Sequence, residues 1–371
     1  MVLQKDLTIE VFNRASGFNY QSVDFLDSFK SCIVLWNAYN YNTFQLDMQI
    51  DSNILPYLIS DNILSISDCY FYIDNLTFDS AQSDIISLYG KSLLGKATKR
   101  IVVPTYNTNS AKPEKIIYDL INNNLASGAG TSRVFNYLSI QQPADLGTTA
   151  LAYQDSYDVV MDQVNSLADS NQICIREMQT NLQNPASQIQ LYKGKDLSGD
   201  GGVEFTLQSE ALKSESLTRD VSNLATTAYV YGEDTGAARK NVVLSSNLTG
   251  IERNELYVDA RDLQQSVSND DGTTTNLSDS QYQAQLTQRG QQTLATTTEV
   301  IQLGGGIDFN NLQFVYGQDY EVGDTVRLTS PRFGVSKASV LTTMQETWDE
   351  TGYHLDPTFD KDRISLLQKI K

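Results

Sequence analysis

Histidine is almost missing from this 371-residue sequence, in which His354 stands alone. A metal site built on several imidazoles is thereby excluded, and a Ser-His or Cys-His catalytic pair would have to use that one residue. Cysteine is scarce as well. Cys32, Cys69 and Cys174 are odd in number, far apart and without a CxxC pair, so they read as semi-buried thiols rather than a disulfide framework or zinc set. Basic residues are outnumbered, 27 Lys and Arg against 45 Asp and Glu, for a formal charge of −18. Such a surface repels phosphate and argues against tight nucleic-acid binding by counterion release. No apolar run approaches the roughly 20 residues that span a bilayer. The opening Met-Val-Leu-Gln-Lys-Asp carries charges where a secretory leader needs an apolar stretch. The expectation is synthesis in a cytoplasm and no membrane-spanning segment.

What is present is core-forming material. Apolar residues make up 40% of the chain, with 20 Tyr and 13 Phe, enough for several compact units and against wholesale disorder. Residues 43–50 alternate: Phe44, Leu46, Met48 and Ile50 on one side, Gln45, Asp47 and Gln49 on the other. That period of two predicts a strand with one wet face. Phe71–Ile73, Leu76–Phe78 and Ile85–Gly90 follow as further short strands, a spacing that suggests a small barrel or sandwich.

The period then changes. Pro113 suits a first helical position, Glu114 the positive end of the dipole, and Ile116, Ile117, Leu120 and Ile121 form one stripe. Asp155 or Ser156 can cap a second helix with the apolar set Tyr157, Val160, Met161, Val164 and Leu167. The passage around Ser127–Gly130 reads as a loop. From Ile189 strands return: Val203, Phe205 and Leu207 alternate, and Ala228–Gly232 and Glu255–Asp259 are candidates. The polar stretch 264–281 reads as an exposed loop leading into a helix with Tyr282, Leu286 and Leu294. Hairpins close the pattern at 314–320, 325–329 and 338–348, where Val340, Thr342, Met344 and Trp348 share a face. The fold class is α+β, with two β-barrel-like units and helical or mixed insertions.

Catalytic signatures are missing. HExxH is excluded by composition, GxSxG and a Walker A loop do not occur, and Gly304-Gly305-Gly306 has no Lys-Ser or Lys-Thr after it. The triplet reads as a flexible or tightly turning connection. His354 falls in a terminal hairpin, where packing or surface placement is the commoner role. The adjacent acids Asp349 and Glu350 recur by chance in so acidic a chain, although glycosidases use carboxylate pairs. One cluster has metal-like spacing: Asp196, Ser198, Asp200 and Glu204 place oxygens as a calcium loop opens. Leu207 then stands where the closing Glu belongs. A glycine-rich turn accounts for the same letters. No catalytic residue and no cofactor site is assigned.

Several blocks stand out by their order. They are Tyr89-Gly90-Lys91-Ser92-Leu93-Leu94-Gly95-Lys96 followed by 99–103, Tyr192-Lys193-Gly194-Lys195-Asp196, Ala228–Gly232, Glu252–Asp262, and Tyr316–Val326. This series, over roughly residues 20–360, resembles the baseplate-hub family of siphophages. That family forms the amino-terminal structural part of tail-associated lysins and is similar to the hub of contractile phage tails. The resemblance implies two related β-barrels and two further domains per chain, and a homotrimer whose six barrels make a pseudo-hexameric ring. It places the barrels at 1–105 and at 186–255 with 298–350, a helical or mixed domain at 106–185, and an insertion and C-terminal domain at 256–297 with 351–371.

The implied function is structural: a hub at the virion tail tip, made in the host bacterial cytoplasm. Its implied partners are a hexameric distal tail protein, the tape measure protein and receptor-binding proteins, with DNA only in transit. An acidic conduit would suit that passage, since like charges repel within about a Debye length of 8 Å. Many relatives carry a wall-degrading domain after the hub. This sequence ends at Lys371, so no lytic activity is expected of it. The alternatives are a tail-associated cell-wall hydrolase or carbohydrate-binding adhesion module, and the hub of a contractile injection machine.

Overall fold

The computed structural model describes residues 7–14, 19–26, 28–78, 84–181, 184–206, 216–236, 239–268, 274–304 and 313–360. Seven strands come first: β1 (Ile9–Arg14), β2 (Tyr20–Leu26), β3 (Ser31–Asn37), β4 (Thr43–Gln49), β5 (Ile63–Ile66), β6 (Cys69–Phe78) and β7 (Ile85–Ser92). The alternation read at 43–50 holds in β4, where Phe44, Leu46 and Met48 are buried; Ile50 lies just past the strand and is exposed. Phe71–Ile73 and Leu76–Phe78 are one strand rather than two. A bulge between Ile73 and Asn75 lets β6 continue along β7, and the extra residue breaks the apolar rhythm in the sequence.

A mixed region follows: β8 (Tyr106–Ala111), α1 (Pro113–Asn124), β9 (Leu138–Ile140), β10 (Leu151–Asp155), α2 (Val160–Asn171), β11 (Cys174–Asn181) and β12 (Ala186–Tyr192). Ile116, Ile117, Leu120 and Ile121 of α1 are buried as a stripe. Glu114 does more than complement the helix dipole. It is buried, and its carboxylate accepts from the Leu146 amide at 3.1 Å and from the Thr148 hydroxyl, tying the following loop to the helix. The second helix starts later than its sequence suggests. Residues 151–155 are drawn into pairing with β8 and Val159 bridges Ile101, so neither Asp155 nor Ser156 caps α2. Tyr157 is left outward, at a φ of 67°.

The remainder comprises β13 (Glu204–Phe205), β14 (Ser216–Asp220), β15 (Thr227–Tyr231), β16 (Asn241–Ser245), β17 (Glu255–Asp259), β18 (Ser266–Ser268), β19 (Thr274–Asn276), α3 (Asp279–Thr296), β20 (Val300–Gly304), β21 (Thr325–Ser330), β22 (Val335–Asp349) and β23 (Gly352–Phe359). The stretch 264–281 is not simply a loop. It holds the β18–β19 hairpin and buries Leu277; backbone pairing needs no apolar alternation, so the composition did not betray it. Ser278 and Gln281 then form a reciprocal capping box at the start of α3.

Eleven strands form one sheet in the order β13-β21-β22-β3-β4-β7-β6-β5-β1-β2, with β23 also paired to β22. Closed barrels were expected, but no sheet closes among the described residues. The cause is β22. Its first part pairs with β21, while residues 343–349 lie between β3 and β23. The sheet branches there instead of returning on itself. One apolar core runs from Ile9 to Phe359 through this sheet, α1 and α2. A second, smaller core joins Ala228, Val230 and Val258 of the β16-β15-β17 sheet to Tyr282 and Leu286 of α3. A fully buried valine, leucine, isoleucine or phenylalanine in these cores contributes about 1.5–3 kcal/mol.

Two sequence blocks meet in space. Tyr192–Asp196 crosses Tyr316–Val326 so closely that a Cβ on Gly194 would lie 1.8 Å from the Gly323 carbonyl oxygen. Gly323 has φ +97°, and a Cβ there would strike the Cys174 Sγ. Asp324 is fully buried at this crossing; its carboxylate accepts from the Lys195 amide at 2.7 Å and the Glu321 amide at 3.0 Å. The Tyr192 hydroxyl donates to the Val322 carbonyl at 2.6 Å. Two glycines and an acid at these positions are therefore requirements of contact, not of chemistry.

A buried acid sits where α3 packs on β10. Asp155 is 1% exposed, and its carboxylate is buried beside that of Asp158, with no donor paired to it among the described residues. Burial, then the negative charge of Asp158, pushes its acidity well above the ordinary carboxylate range, against the pull of Arg289. Gln285 of α3 donates to Asn107 of β8 at 2.9 Å beside it.

Removing the Asp324 carboxylate leaves two buried amides unpaired. Asp324→Ala should cost on the order of 3 kcal/mol, read as a lower midpoint in urea unfolding; a loss within error would contradict the pinning role. For Asp155 the folded state holds its proton more tightly than the unfolded chain, whose Asp titrates near 3.9. The native state therefore loses stability as pH rises from about 4 toward the raised value. Asp155→Asn should raise the melting temperature more at pH 8 than at pH 5, a difference on the order of 1–3 kcal/mol. An equal effect at both pH values would refute it.

Candidate functional site: open edges and an aromatic face

Among the described residues the large sheet has three outer strands with one paired neighbour each, β2 and β13 at the two ends and β23 on the branch. At one end β2 pairs only with β1, and its middle residues face solvent, Val23 and Phe25 among them. At the other, β13 is two residues long and pairs only with β21. Unpaired strand edges are templates for further strands.

The β16-β15-β17 sheet covers only one of its faces. Alternation sends Ala228, Val230 and Val258 into α3, which leaves Tyr229, Tyr231, Val243 and Tyr257 on the outer side. Tyr231 and Tyr257 stack with ring centroids 5.8 Å apart. The Arg239 guanidinium lies 5.3 Å from the Tyr231 ring and 5.9 Å from that of Tyr257, and its Nη2 is 3.2 Å from Asp259. Arg253 donates to the Tyr229 hydroxyl at 3.0 Å and pairs with Glu255. Tyrosine and arginine fixed in this way are the residue types enriched in protein–protein interfaces. The face was invisible while Ala228–Gly232 and Glu255–Asp259 were read only as strands; its signal is tyrosine at the positions that alternation turns outward.

A cleft of about 590 Å³ opens between β3, β11 and the Tyr316 turn. Arg176 spans it, paired with Glu321 at 2.5 Å and stacked 4.4 Å over the Tyr192 ring. On its β3 side the Trp36 indole donates to Glu346 at 3.0 Å, and Tyr353 donates to the other oxygen of the same carboxylate. These groups satisfy one another, so the cleft is braced across the junction of the mixed region and the large sheet. Glu177 beside it is buried and accepts from the Leu93 and Leu94 amides; burial holds its carboxyl at about 7.

The residues with metal-like spacing are spread along one turn. Asp196 accepts from the Ser198 amide and hydroxyl at 3.0 and 2.6 Å. Asp200 stands fully in solvent, 3.9 Å from Arg327, and Glu204 accepts from the Thr329 hydroxyl at the strand beside it. Leu207 lies outside the described residues, as do Gly305 and Gly306. Among the described residues no three acidic, Cys or His side chains are grouped to hold a metal ion. His354 sits in β23 with its Nε2 2.7 Å from the Thr351 hydroxyl and 3.4 Å from Asp349. Asp349 is itself held by the Thr351 amide and hydroxyl, whose bonds keep its carboxyl below the usual range. Cys32, Cys69 and Cys174 are buried and unpaired, and burial pushes each thiol up, Cys32 to about 12 and Cys174 to about 11. None is poised as a nucleophile.

The same architecture occurs in solved tail proteins. A tail protein from Neisseria meningitidis superposes with a TM-score of 0.55 at 12% identity, covering 96% of this chain and 97% of that one. The 43 kDa tail protein of prophage MuSo2 from Shewanella oneidensis gives 0.53 at 10% identity over 94% and 97%. Prophage tail protein gp18 from Listeria monocytogenes gives 0.52 at 11% over 98% and 96%. At such identities the likeness is one of fold. No curated protein matches in sequence. The siphovirus ReqiPepy6 Gp37-like family matches residues 8–359, which takes in every strand and helix described above. The chain belongs to that siphovirus family and has the fold of phage tail proteins.

Proposed function

We propose that this protein is a structural subunit of the tail tip, a homotrimeric hub that docks on the hexameric distal tail protein. There it helps control passage of the tape measure protein and DNA. The observation that carries the reading is that, among the described residues, the outer strands β2 and β13 each leave one edge unpaired in a chain with a tail-protein fold. A ring built from identical copies needs two different surfaces that meet head to tail. Here β2 and β13 offer two such surfaces, strand edges at the two ends of the main path through one branched sheet. The uncovered tyrosine face adds apolar area to such contacts without demanding a ligand.

The working division of the chain is the fourfold one: 1–105, 106–185, 186–255 with 298–350, and 256–297 with 351–371. In that division the β3–β22 seam joins the two strand-rich units. The reading is mechanical and assigns no turnover. The buried thiols and the self-paired carboxylates of the 590 Å³ cleft are consistent with it.

Purified protein mixed with the adjoining distal tail protein should yield a particle containing three copies, 3 × 41.3 kDa or about 124 kDa of this chain, by light scattering after gel filtration. A variant carrying Phe25→Glu and Val243→Glu should stay as single chains with an unchanged melting temperature, since both side chains face solvent in the free subunit. Single chains of the unmodified protein in that mixture, or clearance of a cell-wall suspension, would overturn the reading.

A further inference from the structure

Against a formal charge of −18, one cleft is basic. It encloses about 700 Å³ beside β1 and the short 3₁₀ turn Leu93–Lys99. Among the described residues Arg14, Lys96, Lys99 and Arg100 line it against one carboxylate, Asp61. Asp61 is used by Lys96, which also lies 3.8 Å over the Tyr72 ring. Lys99 is exposed and has no ion-pair partner among the described residues.

The guanidiniums of Arg100 and Arg133 are a second sign. Arg133 spends its donors on the Val103 carbonyl at 2.7 Å and the Ile101 carbonyl at 2.6 Å. Arg100 reaches the Arg133 carbonyl only at 3.4 Å, and its Nε is buried with no hydrogen-bond partner. Neither has a carboxylate partner among the described residues. Burial and the Arg100 charge both lower the pKa of Arg133. Two like charges held together beside a cleft are relieved by an anion in it.

The rest of the lining narrows the ligand. Asn136, Asn184 and Ser132 offer neutral donors and acceptors to hydroxyl groups. Tyr137, edge-on to Tyr20 at 4.9 Å, gives a fixed apolar wall. The Tyr20 ring is itself anchored by its hydroxyl on the Asp61 carbonyl at 2.8 Å. The volume suits a small molecule of one or two rings rather than a bare ion. A long polyanion would extend past the cleft along a chain whose net charge is −18. Guanidinium forks favour phosphate or carboxylate oxygens, in bidentate pairs.

We propose that this cleft binds a short phosphate-bearing carbohydrate, its phosphate on Arg14, Lys99 and Arg100 and its sugar against Tyr137. The unit could arrive free or as the end of a surface glycan; the recognition chemistry is the same. The inference does not depend on the trimer, because every group belongs to one chain.

Isothermal titration of the full chain with glucose 6-phosphate, inorganic phosphate, glucose, an acidic hexapeptide and a short single-stranded oligonucleotide tests it. Glucose 6-phosphate should bind at least tenfold more tightly than each of the others and weaken with added salt. Lys99→Glu and Arg14→Glu, both at exposed positions, should each reduce that affinity at least tenfold with an unchanged circular dichroism spectrum. A glucose 6-phosphate dextran should retain the protein as well as the free sugar binds it if a glycan end is the source; retention lost with binding of the free sugar kept assigns a free metabolite, and either supports the site. Absence of saturable binding, equal binding of inorganic phosphate, tighter binding of the peptide or oligonucleotide, or full affinity in both variants would overturn it.

Discussion

Seven residue pairs between β3 and β22 hold the far parts of the chain in one ladder, Ser31–Asn37 against Thr343–Asp349. Among the described residues, β21, β13 and β23 pair into the amino-terminal sheet through β22. The same seam sets Trp36 over Glu346 and lets Tyr353 close the other side of that carboxylate. A buried carboxylate with donors on both oxygens is costly to leave half-paired, so the register of the seam and the polar contacts across it reinforce each other. Loop closure over some three hundred residues is tolerable because its entropic cost grows only logarithmically with length.

The remaining joints follow the same logic. Asp324 and the Gly194–Gly323 contact lock the end of β12 to the start of β21. Glu177 on β11 reaches back to the turn after β7, and Glu114 ties its helix to the loop beyond it. In each case a buried acid accepts at least one backbone amide from a segment distant in sequence. The small second core stands apart from this system. It joins the rest through α3, where Gln285 donates to Asn107 of β8.

Much of the local structure could be read from the residues alone. β4, α1 and the strands at 227–231 and 255–259 obey clear periods, because one face of each is wet and the other dry. Legibility failed where the backbone overrode the side chains. The bulge in β6 splits one strand into two apparent ones, and pairing with β8 takes residues 151–155 away from the helix that follows. The hairpin at 266–276 has almost no apolar signal to read. The ordered blocks were visible as letters, but their purpose was not. Gly232, for example, is required because the Tyr282 hydroxyl would lie 2.2 Å from a Cβ at that position. Such a contact spans fifty residues and has no trace in local pattern. The open rather than closed sheet was equally hidden, since alternation fixes which face is wet and not whether a final strand returns to the first.

The seam also has a bearing on biosynthesis. A ribosome makes β3 early and β22 late, so the edge of β3 that β22 will cover is bare through most of translation. Its outward-reaching amides and carbonyls are then available to any neighbouring nascent chain. Folding of the large sheet must therefore be completed after release of residues 343–349, and a growing polypeptide is at its most aggregation-prone in the interval before that.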